Sequence, residues 1–368
     1  MKYYIISGEK SGDLHASNLI RALQKHDSKA EFRCWGGEEI EKLGIPLVKH
    51  YKETAFMGFT AVIANLPKIL GFIRFCKKDL LIFKPDVLIL IDYAGFNLRI
   101  AEFAKKKGFK IFYYISPKVW AWNQDRAKNI KRIIDKMFVI MPFEKDFYKK
   151  YDYEVDYIGN PIFDAINQFK INPNFLINNQ LSQKPIIALL AGSRQMEIEN
   201  MLIKMLAVAE YFPDYQFVVA GISSLPTHYY KLLEKFENIK IVFDQTYDLL
   251  SVSKAALVTS GTATLETALF NVPQVVCYKT GALQFFLGKL FLKIKFISLV
   301  NLIADKEVVK ELLQNALTIN NLRKELELVL GQNRQKVLQD YALLRQKTET
   351  PKSASAMAAD LMWRYLQK

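Results

Sequence analysis

Four short stretches place residues able to do chemistry directly after apolar runs. Ser7-Gly8-Glu9-Lys10-Ser11-Gly12-Asp13 follows the first such run, and its glycines and serines let backbone amides approach an anion or a sugar at a helix start. A tight turn with Ser11 or Asp13 capping the next helix accounts for the same residues. Ser260-Gly261-Thr262-Ala263-Thr264-Leu265-Glu266 offers amides for a diphosphate, with Glu266 one turn further on as an acceptor for ribose hydroxyls. Helix capping and a first-turn carboxylate are the plainer reading of that stretch. Ala191-Gly192-Ser193-Arg194 ends in a guanidinium, a planar fork suited to phosphate and equally able to make a surface ion pair. Asp92 ends the apolar run Val87–Ile91 and is either a general base on a hydroxyl or a cap for the helix starting near Phe96.

Other chemistries lack their residues. The first loop does not have the dinucleotide-binding spacing, and no acidic residue ends the second strand, which argues against NAD. GxxxxGK[ST] and GxSxG are both missing, so nucleotide-triphosphatase and serine hydrolase readings fall away. The four histidines, His15, His26, His50 and His228, are scattered without paired spacing, and Asp152-Tyr153-Glu154 reads as surface. No metal and no cofactor is expected.

The elements that must carry these loops alternate along the chain. Strands are expected at Tyr3–Ser7, Glu31–Trp35, Val87–Ile91, Lys110–Ile115, Lys136–Met141 and Val155–Ile158. The pattern restarts with Ile186–Ala191, Gln216–Ala220, Ile239–Phe243, Ala256–Thr259 and Gln274–Tyr278, with helical patterns between. Val87–Ile91 is apolar on both faces, as a central parallel strand is. The fold class is therefore α/β, with two doubly wound, Rossmann-like domains, and 368 residues suit two cores. The expected boundaries are 1–165 for the first domain, a linker at 166–185 rich in Asn, Gln, Ser and Pro, and 186–348 for the second. From about Asp305 the pattern reads as nearly all helix, and a last helix at 349–368 is expected to return to the first domain.

Composition bounds the setting. Hydrophobic residues make up 51% and charged residues 24%, an ordinary globular balance. Three well-separated cysteines, Cys34, Cys76 and Cys277, form no disulfide framework and suit a reducing cytosol. The N-terminus runs straight into a strand without a signal-peptide pattern, and no window is a clean transmembrane span. A net charge of +14 calls for nucleic acid, an anionic membrane or a phosphorylated substrate as partner, or else is a solvated basic surface. Two apolar strips flanked by basic residues favour the membrane. Val62, Ile63, Leu66, Ile69 and Leu70 precede Arg74, Lys77 and Lys78, while Phe285, Leu292 and Phe296 lie with Lys289 and Lys295 on one face of an expected helix at Ala282–Phe296.

Taken in order, these stretches resemble lipid-A-disaccharide synthase, an inverting glycosyltransferase family of GT-B architecture. The resemblance runs from Ile6 to about Leu313. It rests on SGEKSGD at Ser7–Asp13, DYAGFN at Asp92–Asn97, YYISPKVWAW at Tyr113–Trp122 and MPFEKDFY at Met141–Tyr148. It continues through GNP at Gly159–Pro161, AGSR at Ala191–Arg194, SGTATLE at Ser260–Glu266 and SLVNLIADKEVVKELL at Ser298–Leu313. Gly95 departs from the family pattern where a second aspartate is expected, and Ala191 departs where a proline is expected.

The resemblance implies UDP-2,3-diacylglucosamine as donor and 2,3-diacylglucosamine 1-phosphate as acceptor, bound between two facing domains. It implies Asp92 as the base, and Arg194, Ser260, Gly261, Thr262, Glu266 and Asn301 at the donor. Glu9, Ser11, Gly12 and Asp13 fall to the acceptor. A cytoplasmic enzyme on the inner-membrane surface follows, with no nucleic-acid partner and with a homodimer left open. A UDP-N-acetylglucosamine 2-epimerase acting on a soluble sugar nucleotide is the rival enzyme. A basic RNA- or membrane-binding protein without catalysis is the rival of another class, though Lys and Arg are spread along the chain rather than gathered into a known module.

Overall fold

The computed structural model describes residues 1–54, 65–236, 238–281 and 294–367. The chain divides into two compact units, Met1–Pro161 with Glu349–Lys368, and Ile162–Thr348.

In the first unit, strands β1 (Lys2–Ser7), β2 (Glu31–Gly36), β3 (Leu47–His50), β4 (Val87–Ile91), β5 (Lys110–Tyr114), β6 (Lys136–Val139) and β7 (Asp156–Tyr157) form one sheet. Among the described residues its order is β3-β2-β1-β4-β5-β6-β7, and each pairing is parallel. Helices cover both faces, so β4 is buried along its whole length and reads as five consecutive apolar residues. The last helix, Ala354–Leu366, buries Ala354, Ala358, Ala359 and Met362 in the core that also holds Ala16, Leu19 and Leu23 of the helix Lys10–Gln24. Its four small or flexible core residues let it lie close to that neighbour.

The second unit repeats the scheme with β8 (Ile186–Leu190), β9 (Gln216–Gly221), β10 (Ile239–Phe243), β11 (Ser253–Thr259), β12 (Gln274–Tyr278) and β13 (Lys310–Leu313). The order β10-β9-β8-β11-β12-β13 is that of a dinucleotide-binding sheet, again parallel throughout.

The fold differs from the sequence reading in three places. The segment expected as a linker, 166–185, packs in part on the second unit, with Phe175 and Leu181 buried beside Ile186, Leu190 and Val242. Two apolar anchors within a polar stretch suffice to fold it down. Lys310–Leu313 is an edge strand and not helix, because its pairing with Val275–Tyr278 outweighs a helical residue pattern. The edge strand β3 was also not anticipated. The proposed helix at Ala282–Phe296 falls mostly outside the described residues, as do Val62, Ile63, Phe285, Lys289 and Leu292.

Candidate active site

In each sheet the connections diverge on either side of one strand pair, β1 with β4 and β8 with β11. Doubly wound sheets bind ligands beyond the carboxyl ends of the strands at this reversal. Ser7 pairs with Ile91, so Gly8-Glu9 and Asp92-Tyr93 leave the first sheet side by side. Leu190 pairs with Val258, so Ala191–Arg194 and Ser260–Glu266 leave the second sheet in the same way. All four stretches singled out from the sequence thus stand at the two switch points.

Asp92 (φ 44°) and Tyr93 (φ 47°) are both left-handed, a conformation costing non-glycine residues about 1–3 kcal/mol each. Their surroundings impose it. The Asp92 carbonyl accepts the Tyr113 hydroxyl at 2.5 Å and Asn97 Nδ2 at 2.8 Å, and the Tyr93 hydroxyl donates to the Thr54 carbonyl at 2.7 Å. Gly8 is required beside them: a Cβ there would stand 2.3 Å from the Tyr93 ring. The helix Ala94–Lys106 has Tyr93 at its N-cap, whose side chain makes no capping hydrogen bond, and the Asp92 carboxylate takes the Tyr93 amide. Burial raises the Asp92 pKa, while the charge of Lys118 and the Tyr93 amide oppose the rise. A carboxylate raised in this way is a stronger base.

The acceptor-side set divides. Glu9 is half-exposed at the N-cap of the helix Lys10–Gln24, and Ser11 is exposed in its first turn. Gly12 packs on Ser7, where an added Cβ would lie 3.2 Å from the Ser7 Cβ. Asp13 is buried, and its carboxylate accepts the Gly37 and Glu39 amides at 2.7 and 2.8 Å. Asp13 therefore caps the helix Glu38–Glu41, next along the sheet, and its side chain is committed to the fold.

In the second unit Arg194 is the N-cap of the helix Gln195–Leu206 and 66% exposed, paired with Glu197 at 3.1 Å. The Glu197 carboxylate also accepts the Ser193 amide at 2.8 Å. Gly192 (φ 118°) makes room for it, since a Cβ there would stand 2.4 Å from the Glu197 Cβ. The helix Thr262–Leu269 follows Gly261 without a side-chain cap, which leaves its positive end open to an anion. Ser260 does not cap it, because its hydroxyl donates to the Ile297 carbonyl at 2.9 Å. Glu266 accepts the Tyr247 hydroxyl at 2.8 Å, and burial raises its pKa.

Asn301 is fully buried and committed internally. Its Nδ2 donates to the Val309 carbonyl and to Glu311, and its Oδ1 accepts the Val308 and Val309 amides, all within 2.8–3.0 Å. Glu311 also takes the Ile297 and Ser298 amides at 3.0 and 2.9 Å. Asn301 and Glu311 shape the segment on which Ser260 leans, and Asn301 keeps no hydrogen-bonding capacity for a ligand. Glu311, Tyr247, Tyr113 and Lys118 were not singled out from the sequence. All but Tyr247 lie inside the quoted motifs, which was the available signal.

Of the first apolar strip, Leu66, Ile69 and Leu70 lie among the described residues. On the helix Leu66–Phe83, Leu66 and Leu70 are 43% and 39% exposed, and Ile69 is half-buried. Phe75 and Ile82 are exposed as well, with Lys68, Arg74 and Lys78 among them. The helix's one acidic residue, Asp79, is turned inward to Arg33 and Tyr4. Among the described residues no helix is long and apolar enough to cross a membrane, and no three His, Cys, Asp or Glu side chains gather to hold a metal ion.

Two sheets of this topology with loaded switch points define a GT-B protein, the architecture of glycosyltransferases and sugar-nucleotide epimerases. The glycosyltransferase of kitacinnamycin superposes with a TM-score of 0.69 at 13% identity, covering 99% of each chain. The UDP-GlcNAc 2-epimerase of Methanocaldococcus jannaschii gives 0.65 at 16% identity, covering 100% of this chain and 99% of its own. These likenesses establish the fold.

The family follows from sequence. A model described as lipid-A-disaccharide synthetase matches residues 3–361. The lipid-A-disaccharide synthase of Syntrophus aciditrophicus is 36% identical over 96% of this chain and 95% of its own. That of Myxococcus xanthus is 34% identical over 97% and 96%. This chain belongs to the lipid-A-disaccharide synthase family of glycosyltransferases.

Proposed function

We propose that this chain joins UDP-2,3-diacylglucosamine to 2,3-diacylglucosamine 1-phosphate, giving the β-1,6-linked disaccharide 1-phosphate and UDP. The observation that carries the reading is Asp92, a carboxylate of raised pKa held in a strained conformation at the first sheet's switch point. Asp92 takes the proton of the acceptor 6-hydroxyl as that oxygen bonds to the donor's anomeric carbon. The bond from that carbon to the UDP oxygen breaks, UDP leaves with the electron pair, and the configuration inverts through an oxocarbenium-like transition state.

Charge developing on the diphosphate is met by Arg194 and by the amides of Ser260, Gly261 and Thr262 at an uncapped helix end. Glu266, oriented by Tyr247, accepts the ribose hydroxyls. Glu9, Ser11 and Gly12 line the acceptor sugar. Asp13 and Asn301 act through the backbone they hold.

The acyl chains call for a lipid surface, and we assign the exposed face of Leu66–Phe83 to it, on the membrane's cytoplasmic side. Salt-sensitive co-sedimentation with anionic phosphatidylglycerol vesicles, weakened by Leu70→Asp, is the expected result; no binding removes this assignment.

The reaction is tested by incubating purified protein with both substrates and determining the product linkage by NMR. A β-1,6 disaccharide with one UDP released supports the reading. No product, together with epimerisation of UDP-N-acetylglucosamine, replaces it with the epimerase.

A further inference from the structure

The mechanism above leaves unused the loop between β5 and the short helix Val119–Trp122. Ile115 leaves the strand with φ 66°, which β-branched residues avoid. Its amide is fixed on the Phe138 carbonyl at 3.0 Å, and beside it Asp92 donates its own amide to the Tyr114 carbonyl at 3.3 Å. Glu144, 2% exposed, is hydrogen-bonded by the Ser116 hydroxyl and by the Met141 and Ile140 amides at 2.9 and 3.2 Å. A buried carboxylate persists only with such partners. From Ile111 to Ala121 each residue is buried except Lys118. A strained turn and a buried acid thus serve a loop that presents one exposed side chain, a cation whose field reaches Asp92. Among the described residues no ion pair takes up that charge.

We propose that Lys118 is a specificity-determining residue that receives the phosphate of the acceptor, and that Glu144 is the positioning residue that sets its loop. This rests on the reaction proposed above. An acceptor attacked through its 6-hydroxyl beside Asp92 carries its phosphate across the same pyranose ring. An ammonium on a long stem, carried by the loop that leaves β5 beside Asp92, can span that ring, and as a compact point charge it suits a phosphate of variable pose.

The experiment compares two acceptors, 2,3-diacylglucosamine 1-phosphate and the same acylated sugar without phosphate, on wild type, Lys118→Ala, Glu144→Gln and the double variant. Wild type is expected to prefer the phosphorylated acceptor by about tenfold or more in kcat/KM, mainly through acceptor KM, and Lys118→Ala to lose most of that preference. Glu144→Gln should lose it too, and the double variant should lose little beyond either single one. Should Glu144→Gln not fold, Ser116→Ala tests the same link. A preference unchanged in Lys118→Ala overturns the role of Lys118. Strictly additive losses overturn that of Glu144 while sparing Lys118. Absence of product from wild type with either acceptor rejects the proposed reaction itself, and this assignment with it.

Discussion

Gly8 and Tyr93 touch so closely that a Cβ on residue 8 would lie 2.3 Å from the ring's Cγ and Cδ1 atoms and 2.7 Å from Cδ2. Those atoms are the near end of the side chain, so the ring cannot yield without turning the left-handed pair Asp92-Tyr93. Gly8→Ala is expected to cost about 1–3 kcal/mol of stability and more than tenfold in kcat. Denaturant unfolding and steady-state kinetics check both. Wild-type kcat in a folded Gly8→Ala protein would separate this contact from the chemistry.

Arg194 stands two-thirds exposed with Glu197 as its partner, so an incoming diphosphate competes for it against one carboxylate. Arg194→Ala should lower kcat/KM for the donor by about a hundredfold. Because the leaving charge is assigned to Arg194 and helix amides, EDTA should leave wild-type turnover within about twofold. Initial rates at varied donor, with and without chelator, measure both.

Glu311 gathers the Ile297 and Ser298 amides and Asn301 Nδ2, and Ser260 rests on the Ile297 carbonyl. Glu311→Ala leaves buried donors unpaired, at about 2–4 kcal/mol. It should also raise donor KM more than acceptor KM. Equal effects on the two would mean general damage and not a loosened donor loop.

Glu144 has its pKa raised by burial from 4.5 to about 7. The folded state then keeps a proton that the unfolded chain releases, so the contribution of Glu144 to stability is fully present below pH 4.5 and is lost as pH rises through about 7. Glu144→Gln should flatten that fall by at least about 1 kcal/mol, read from urea unfolding at several pH values. An unchanged pH slope would show that Glu144 stays ionised in the fold.

The sequence displayed what repeats locally. Apolar runs such as Val87–Ile91 announced the central strands, and the small residues after them marked the switch-point loops. It concealed what depends on distant partners. The residues alone offered Asp13 as a helix cap and the resemblance gave it to the acceptor; its actual partners, the Gly37 and Glu39 amides, lie beyond the next strand. Asn301 looked available for the same reason, its partners Val308, Val309 and Glu311 becoming neighbours only when the segment folds back. Lys310–Leu313 carries a helical residue pattern, and only the edge of β12 makes it a strand. The polar stretch 172–185 hid Phe175 and Leu181, whose burial joins it to the second unit.

In the proposed reaction Asp92 removes the acceptor proton. Its most direct test is the initial rate of UDP release from both substrates, with EDTA present, for wild type and Asp92→Ala, with donor affinity measured alongside. A fall of about a hundredfold or more in kcat with donor binding retained is expected. A variant that turns over as fast as wild type would contradict it.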